Sequence, residues 1–135
     1  MIVVIAHQSI VDADAIGHDI FGMYDSLLHT GTKVLLFGEF LSNVENREVI
    51  TFTEAKRIVK NADNILIYHH SIYWEEGFNL LKESECKVVV RYHNITPPEF
   101  FKDYSKLHFE KTSLGRKQTS HIANTRKVSL WLCDS

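Results

Sequence analysis

The first chemical signal is four histidines: His7, His69, His70 and His93 each fall where an apolar or β-branched run gives out. An imidazole in such a place can ligate a metal, carry a proton, or exchange hydrogen bonds with a hydroxyl-rich ligand. Metal ligation asks for more than the sequence offers. Adjacent His69 and His70 point to opposite faces of an extended chain, and no carboxylate or second cysteine completes a familiar ligand spacing. Hydrogen bonding in a polar crevice is the expected role, with no metal and no cofactor held by this chain. There is no G-x-G-x-x-G fingerprint, no G-x-S-x-G elbow, and no Cys-His constellation around either cysteine.

His93 has the best-defined surroundings. Lys87-Val88-Val89-Val90-Arg91-Tyr92 reads as a buried strand, and Thr96-Pro97-Pro98-Glu99 reads as a helix start. In that reading Thr96 is the N-cap, Pro97 the first helical residue, and Glu99 stands three residues after the cap. His93 and Asn94 then occupy a tight turn at a strand's carboxyl end, where open α/β sheets bind ligands.

The remaining elements position the other candidates. Ile2–Ala6 reads as a central strand ending at His7. A helix from about Gly17 to His29 buries Ile20, Phe21, Tyr24, Leu27 and Leu28 at helical spacing, with Gly31 as the C′ residue. Gly17, at that helix's start, would let a ligand approach backbone N–H groups, or serve only as a turn residue. Lys33–Phe37 is the second strand. A short helix at about 53–60 is capped by Thr53. Asn64–Tyr68 is the third strand, and Ser71 caps a helix over 72–83. A longer helix at about 107–125 is bent near Gly115, and Val128–Cys133 closes the series. This alternation predicts an α/β fold with a Rossmann-like parallel sheet, helices on both faces, and the order 3-2-1-4-5. His7 and His93 then flank one crevice. A chain that stops directly after a strand suggests a missing continuation.

The 135 residues suit one domain, 44% hydrophobic and 24% charged, with net charge −2. That balance gives no reason to expect a nucleic-acid partner. The charge is unevenly spread: residues 1–98 carry 8 Lys/Arg against 13 Asp/Glu, while residues 99–127 carry 7 against 3. The lysines Lys102, Lys106, Lys111, Lys117 and Lys127 therefore read either as a solvated helix face or as an attraction to an anionic membrane or acceptor. Cys86 and Cys133 read as buried reduced thiols. No run is long enough to span a bilayer, and Met1-Ile2-Val3-Val4-Ile5 lacks the marks of a signal peptide. A receiver domain shares the topology but needs carboxylates where this chain has His7 and His69.

Tyr68-His69-His70-Ser71-Ile72, followed by Tyr92-His93-Asn94-Ile95-Thr96-Pro97-Pro98-Glu99-Phe100-Phe101, resembles the N-terminal domain of bacterial group 1 (family 4) glycosyltransferases of the GT-B fold. Asp14-Ala15-Ile16-Gly17, Phe37-Gly38-Glu39, Gly115-Arg116-Lys117-Gln118 and Cys133-Asp134-Ser135 support the resemblance, which spans essentially the whole chain. It implies a retaining, metal-independent transfer from a nucleotide-sugar donor to a glycan or lipid-linked acceptor in surface polysaccharide synthesis. His93 matches the family histidine that faces the donor sugar, and Gly17 matches the glycine of the first loop. His7, His69, Ser71, Asn94 and Thr96 would line the acceptor and donor-sugar cleft. The family's donor-binding domain has no counterpart here, so residues 1–135 read as one acceptor-side domain, inactive alone. A separate subunit is one possible source of the other half. The implied location is the cytoplasm, with peripheral contact at the inner membrane face. Tyr73-Trp74 depart from the family, which commonly has small residues there, and would narrow or reshape the acceptor pocket. The competing reading is a free-standing, non-catalytic α/β module that binds a glycan or a protein partner.

Overall fold

The computed structural model describes residues 1–133. Asp134 and Ser135, which end the Cys133-Asp134-Ser135 match, lie outside the described residues. In chain order the elements are β1 (Ile2–Ala6), β2 (Ser9–Ile10), α1 (Ala15–His29), β3 (Lys33–Phe37), β4 (Phe40–Leu41), α2 (Phe52–Val59) and β5 (Ile65–His70). These are followed by α3 (Glu75–Glu83), β6 (Lys87–Tyr92), a 3₁₀ turn (Pro98–Phe101), α4 (Lys106–Asn124) and β7 (Val128–Cys133).

Five strands form one parallel sheet with helices on both faces, as the alternation predicts, and β2 and β4 make a separate small pair. Strands covered on both sides read as continuous apolar runs, which is why β1 and β3 are nearly all buried. On one face Val4, Ala6, Leu66, Tyr68, Val88 and Val90 pack against Ala55, Ile58 and Val59 of α2, Leu80 and Leu81 of α3, and Ile122 of α4. On the other, Val3, Ile5, Val34 and Leu36 pack against Ile20, Phe21 and Tyr24 of α1. Leu28, expected on that buried face, is 50% exposed.

The strand order differs from expectation. It is β3-β1-β5-β6-β7, or 2-1-3-4-5 counting only the five strands of this sheet, not 3-2-1-4-5. The cause lies at the outer edge of β3. There Leu36 donates its N–H to the Glu48 carbonyl at 2.8 Å and its carbonyl accepts from Ile50 N–H at 2.9 Å. The returning loop so occupies the edge where a third strand would have docked, and β5 pairs on the far side of β1.

Several caps also move. Thr51, not Thr53, caps α2: its hydroxyl accepts from Glu54 N–H and the Glu54 carboxylate accepts from Thr51 N–H, a reciprocal capping box. Thr96 caps nothing. Pro98 disfavours the helical region for the residue before it, so Pro97 stays extended (φ −53°, ψ 134°) and only one 3₁₀ turn follows. Ser71 does not cap α3, which starts at Glu75 after the extended Trp74. α4 runs unbroken through Gly115, whose missing side chain makes room for Ile95. Gly31 does take the positive φ, 82°, of a C′ residue. Cys86 is buried and free as expected, but Cys133 is exposed on the edge strand.

Candidate functional site

Strand periodicity separates the histidine pair. His69 faces α1 and His70 faces α4, where its Nε2 lies 2.7 Å from Thr119 Oγ1. His93 sits one residue past β6, and its N–H donates to the His70 carbonyl at 2.9 Å, extending the ladder by one step. The 2-1-3-4-5 order puts β5 between β1 and β6, so His69 lies between His7 and His93. Three imidazoles therefore gather at this end of the sheet, His7 and His93 on the cleft wall and His69 behind them.

His69 Nδ1 and His93 Nε2 are 2.8 Å apart. Asp19 of α1 brings its Oδ2 to 3.9 Å from the first and 4.0 Å from the second, and the same oxygen accepts from Arg91 Nε at 3.1 Å. A point about 2.1 Å from all three ligand atoms exists, a distance zinc would accept. The rings meet nitrogen to nitrogen, however: they are within 17° of coplanar with centroids 5.1 Å apart, so each nitrogen aims along the N···N line and away from that point. This is the geometry of an N–H···N hydrogen bond.

His7 is fixed at both nitrogens. Its Nδ1–H donates to the Ser9 carbonyl at 2.6 Å, so Nε2 accepts from the Ser71 hydroxyl at 2.7 Å. That bond takes Ser71 away from the helix-capping role. Burial is the main force on these rings and favours their neutral forms. It lowers His7 below the usual histidine value, with a further contribution from His93. It takes His69 to about 2, with repulsion between its protonated form and those of His93 and His7, and from Arg91, acting in the same direction. His70 falls to about 4 for the same first reason.

His7, Ser71, His93, Asn94 and Thr96 line one cleft of about 430 Å³, with Gln8, Ile16 and Phe101 among the other walls. His69, 1% exposed, stands behind His93 instead of on the surface of the cleft. Gly17 does not line it. A Cβ there would fall 1.5 Å from the Val11 carbonyl oxygen, and its N–H is taken by Asp14 Oδ1 at 2.6 Å. Glycine is required at that position for the loop to close on α1, not for a ligand to approach.

A second cleft of about 460 Å³ adjoins the first through Gln8 and is lined by Glu39, Tyr73, Trp74, Glu75 and Glu76. Tyr73 forms a wall, while Trp74 is 2% exposed and packs between Phe37 and Tyr68. Its indole N–H donates to Glu39 Oε1 at 2.6 Å. Lys102, Lys106, Lys111, Lys117 and Lys127 are all exposed, and none lines the His93 cleft. Lys127 Nζ donates to the Ser84 carbonyl at 2.9 Å. Among the described residues no helix is long and apolar enough to cross a membrane.

Asp19 and Arg91 have no role in the sequence reading, and Gln118 enters it only as the last residue of a supporting match. The signals were present: Asp19 interrupts the inward stripe of α1 between Ile16 and Met23, and Arg91 is a charge inside a β-branched strand.

No family model and no curated protein matches this sequence. A solved structure does: an alpha-glucosyltransferase, in complex with UDP and a 13-mer DNA containing an HMU base. The likeness has a TM-score of 0.60 at 13% identity, covering 98% of this chain and 37% of that one. The chain has a Rossmann-like α/β fold consistent with one half of a GT-B fold, and spans little more than a third of the length of the protein it matches.

Proposed function

We propose that this chain is the acceptor-side half of a retaining, family 4 glycosyltransferase that moves a sugar from a nucleotide-sugar to a glycan or lipid-linked acceptor. The observation that carries the reading is the convergence of His7, Ser71, His93, Asn94 and Thr96 on one cleft at the carboxyl ends of β1, β5 and β6. On that wall the Asn94 amide and the Thr96 hydroxyl carry donors and acceptors, which hydroxyl-bearing rings require. The likeness in fold to a glucosyltransferase supports the same reading. In this reading the nucleotide is held by a second domain, carried on the same polypeptide or on another subunit. The setting is surface polysaccharide synthesis in a bacterial cytoplasm, at the inner membrane face. Without the donor half, interactions made only in the transition state are lost, so the isolated chain turns nothing over.

The test is titration of the ¹⁵N-labelled chain with an oligosaccharide panel and with UDP. Saccharide-induced shifts at His93 and Asn94, weak nucleotide binding, and no sugar transfer are expected. Tight UDP binding, or transfer by the chain alone, would overturn the proposal.

A second reading is a free-standing saccharide-binding module. It is favoured by the completeness of the His7–Ser71 and His69–His93 pairs within this one chain. Saccharide affinity unchanged by any added nucleotide-binding domain would select it.

A further inference from the structure

We infer that Tyr73 is a stacking platform for a further sugar unit: the cleft it shares with Gln8, Glu39 and Asn79 takes a neutral or amine-bearing pyranose of an oligosaccharide acceptor. The inference deepens the proposed function and rests on it only for the acceptor being a saccharide.

The residue that follows Tyr73 is firmly anchored. Both backbone polar groups of Trp74 are bound by the buried Gln118 amide, and its indole N–H is donated to Glu39. Its ring lies between Phe37 and Tyr68, and a Cβ on Gly77 would fall 2.1 Å from it. Tyr73 therefore springs from a fixed backbone. Its own side chain is 38% exposed and has no hydrogen bond or ring contact within the described residues. Only two side-chain torsions remain to be ordered when such a ring takes a ligand, so the entropy cost of binding is small.

The walls around Tyr73 define what the ring would meet. It borders the cleft of about 460 Å³ and also a groove of about 320 Å³ between α3 and α4. Both volumes lie in the range of small-molecule sites, about 300–1,000 Å³. The side-chain amides of Gln8 and Asn79 line the larger cleft and make no hydrogen bond within the described residues. Each amide offers both donors and an acceptor. Gln8 is held in place through its carbonyl, which accepts from Glu39 and Phe40 N–H at 2.9 Å each. It also lines the neighbouring cleft of Asn94 and Thr96, so linked sugars can pass over it from one cleft to the other.

Charge then selects among ligands. Glu39, Glu75 and Glu76 line the cleft, and no Lys or Arg among the described residues does. Burial raises the Glu76 carboxyl above its usual range, and repulsion from Glu39 adds to the rise. Lys56 acts in the opposite sense, but its ammonium is held over the Phe52 ring at 4.8 Å. Carboxylates accept from hydroxyl and ammonium groups and repel phosphate. An aromatic face set among amides and carboxylates suits the C–H face and hydroxyl edge of a pyranose, and disfavours a nucleotide or a lipid phosphate.

In the test the chain is titrated at pH 7.5 with glucose, glucosamine and N-acetylglucosamine oligomers of one to four units, and with UDP and inorganic phosphate as anionic probes. Amide and aromatic-ring shifts are followed by NMR. The Tyr73 ring and the Gln8 and Asn79 side-chain amides are expected to shift with at least one oligomer series, together with Asn94 and Thr96, and affinity should rise with length. Tyr73→Ala should lose about tenfold in affinity for the longer oligomers, the scale of one good aromatic contact, and Tyr73→Phe should keep it. The exposed ring has no internal partner to lose, so both variants should fold. Oligomers that shift Asn94 and Thr96 but leave Tyr73 unmoved overturn the inference and leave the proposed function standing. Oligomers that shift Tyr73 but neither Asn94 nor Thr96 support the platform and overturn the proposed role of the neighbouring cleft. UDP or phosphate moving Tyr73 as far as the sugars do overturns the inference, as does unchanged affinity in Tyr73→Ala. No response at either cleft overturns both.

Discussion

The side-chain amide of Gln118 takes both backbone polar groups of Trp74: its Oε1 accepts from the Trp74 N–H at 3.0 Å and its Nε2 donates to the Trp74 carbonyl at 3.1 Å. No side chain caps α3 from within its own segment, so a residue 44 positions away, on α4, fixes where that helix begins. Gln118 is 1% exposed, and water cannot replace it without opening the α3–α4 contact. Gln118→Ala is expected to cost about 2–3 kcal/mol, the scale for a buried donor left unpaired. Urea unfolding measures this directly, and a change under 0.5 kcal/mol would mean the helix start is held by something else.

The buried imidazoles set the acid limit of stability. His69 and His70 have folded values of about 2 and about 4, below the unfolded value near 6.5. The unfolded chain thus binds more protons, and the stability they contribute is full above pH 6.5 and is lost as pH falls toward those folded values. Each should have lost about 2 kcal/mol by pH 5, at 1.36 kcal/mol per unit. Together that is a large share of a small domain's total. Urea midpoints should drop steeply between pH 7.5 and 5, and His70→Gln should make the drop shallower. Equal midpoints at both pH values would contradict the neutral, buried assignment.

Gly17→Ala separates a structural glycine from a ligand-facing one. The added methyl carbon would collide with the Val11 carbonyl, which is backbone and cannot rotate aside. A loss of about 2 kcal/mol or more is expected, as for other overpacked sites, with saccharide affinity per folded molecule preserved. Full stability with lost affinity would restore the ligand-approach role.

His93→Ala removes a cleft wall and the partner of His69 in one change. Both effects should appear. Stability should fall by about 1–3 kcal/mol because His69 Nδ1 is left unpaired. Saccharide affinity should also fall when measured well below the melting temperature. Normal affinity per folded molecule would leave His93 a purely structural residue.

The basic segment makes a separate prediction. Between residues 111 and 127 five cations (Lys111, Arg116, Lys117, Arg126 and Lys127) meet no acid. Co-sedimentation with anionic vesicles should be measurable at low salt. It should vanish near 1 M, where the screening length is about 3 Å. Binding absent at low salt leaves these residues as a solvated face.

Strand positions were legible because doubly covered strands appear as unbroken apolar runs, and Ile2–Ala6, Lys33–Phe37 and Lys87–Tyr92 lie within a residue of where they were expected. Their order was not legible. At the outer edge of β3, Glu48–Ile50 dock on Leu36 through backbone bonds, with Lys33 pairing to Glu48 and Ile50 packing on the core, and neither the backbone bonds nor one ion pair makes a periodic pattern to read. The cleft was legible as far as strand ends reveal it, which brought His7, Ser71, His93, Asn94 and Thr96 together. Its support was not, because Asp19 reaches the histidines from a helix far back in the sequence and only the wrapped sheet brings them near. The Thr51-x-x-Glu54 box is legible in the sequence, two residues before the expected Thr53 cap.

The two margins of the sheet are unequal. The outer side of β3 is occupied by the Glu48–Ile50 return, whereas β7 ends the strand order with Leu130 and Trp131 exposed. Fibrous stacking of sheets side by side needs a vacant margin at each end of every unit, so that growth can proceed in both directions. With one margin blocked, edge-to-edge association of the described residues through β7 would terminate at a pair. The loop that lies along β3 thereby leaves the described residues a single open sheet margin.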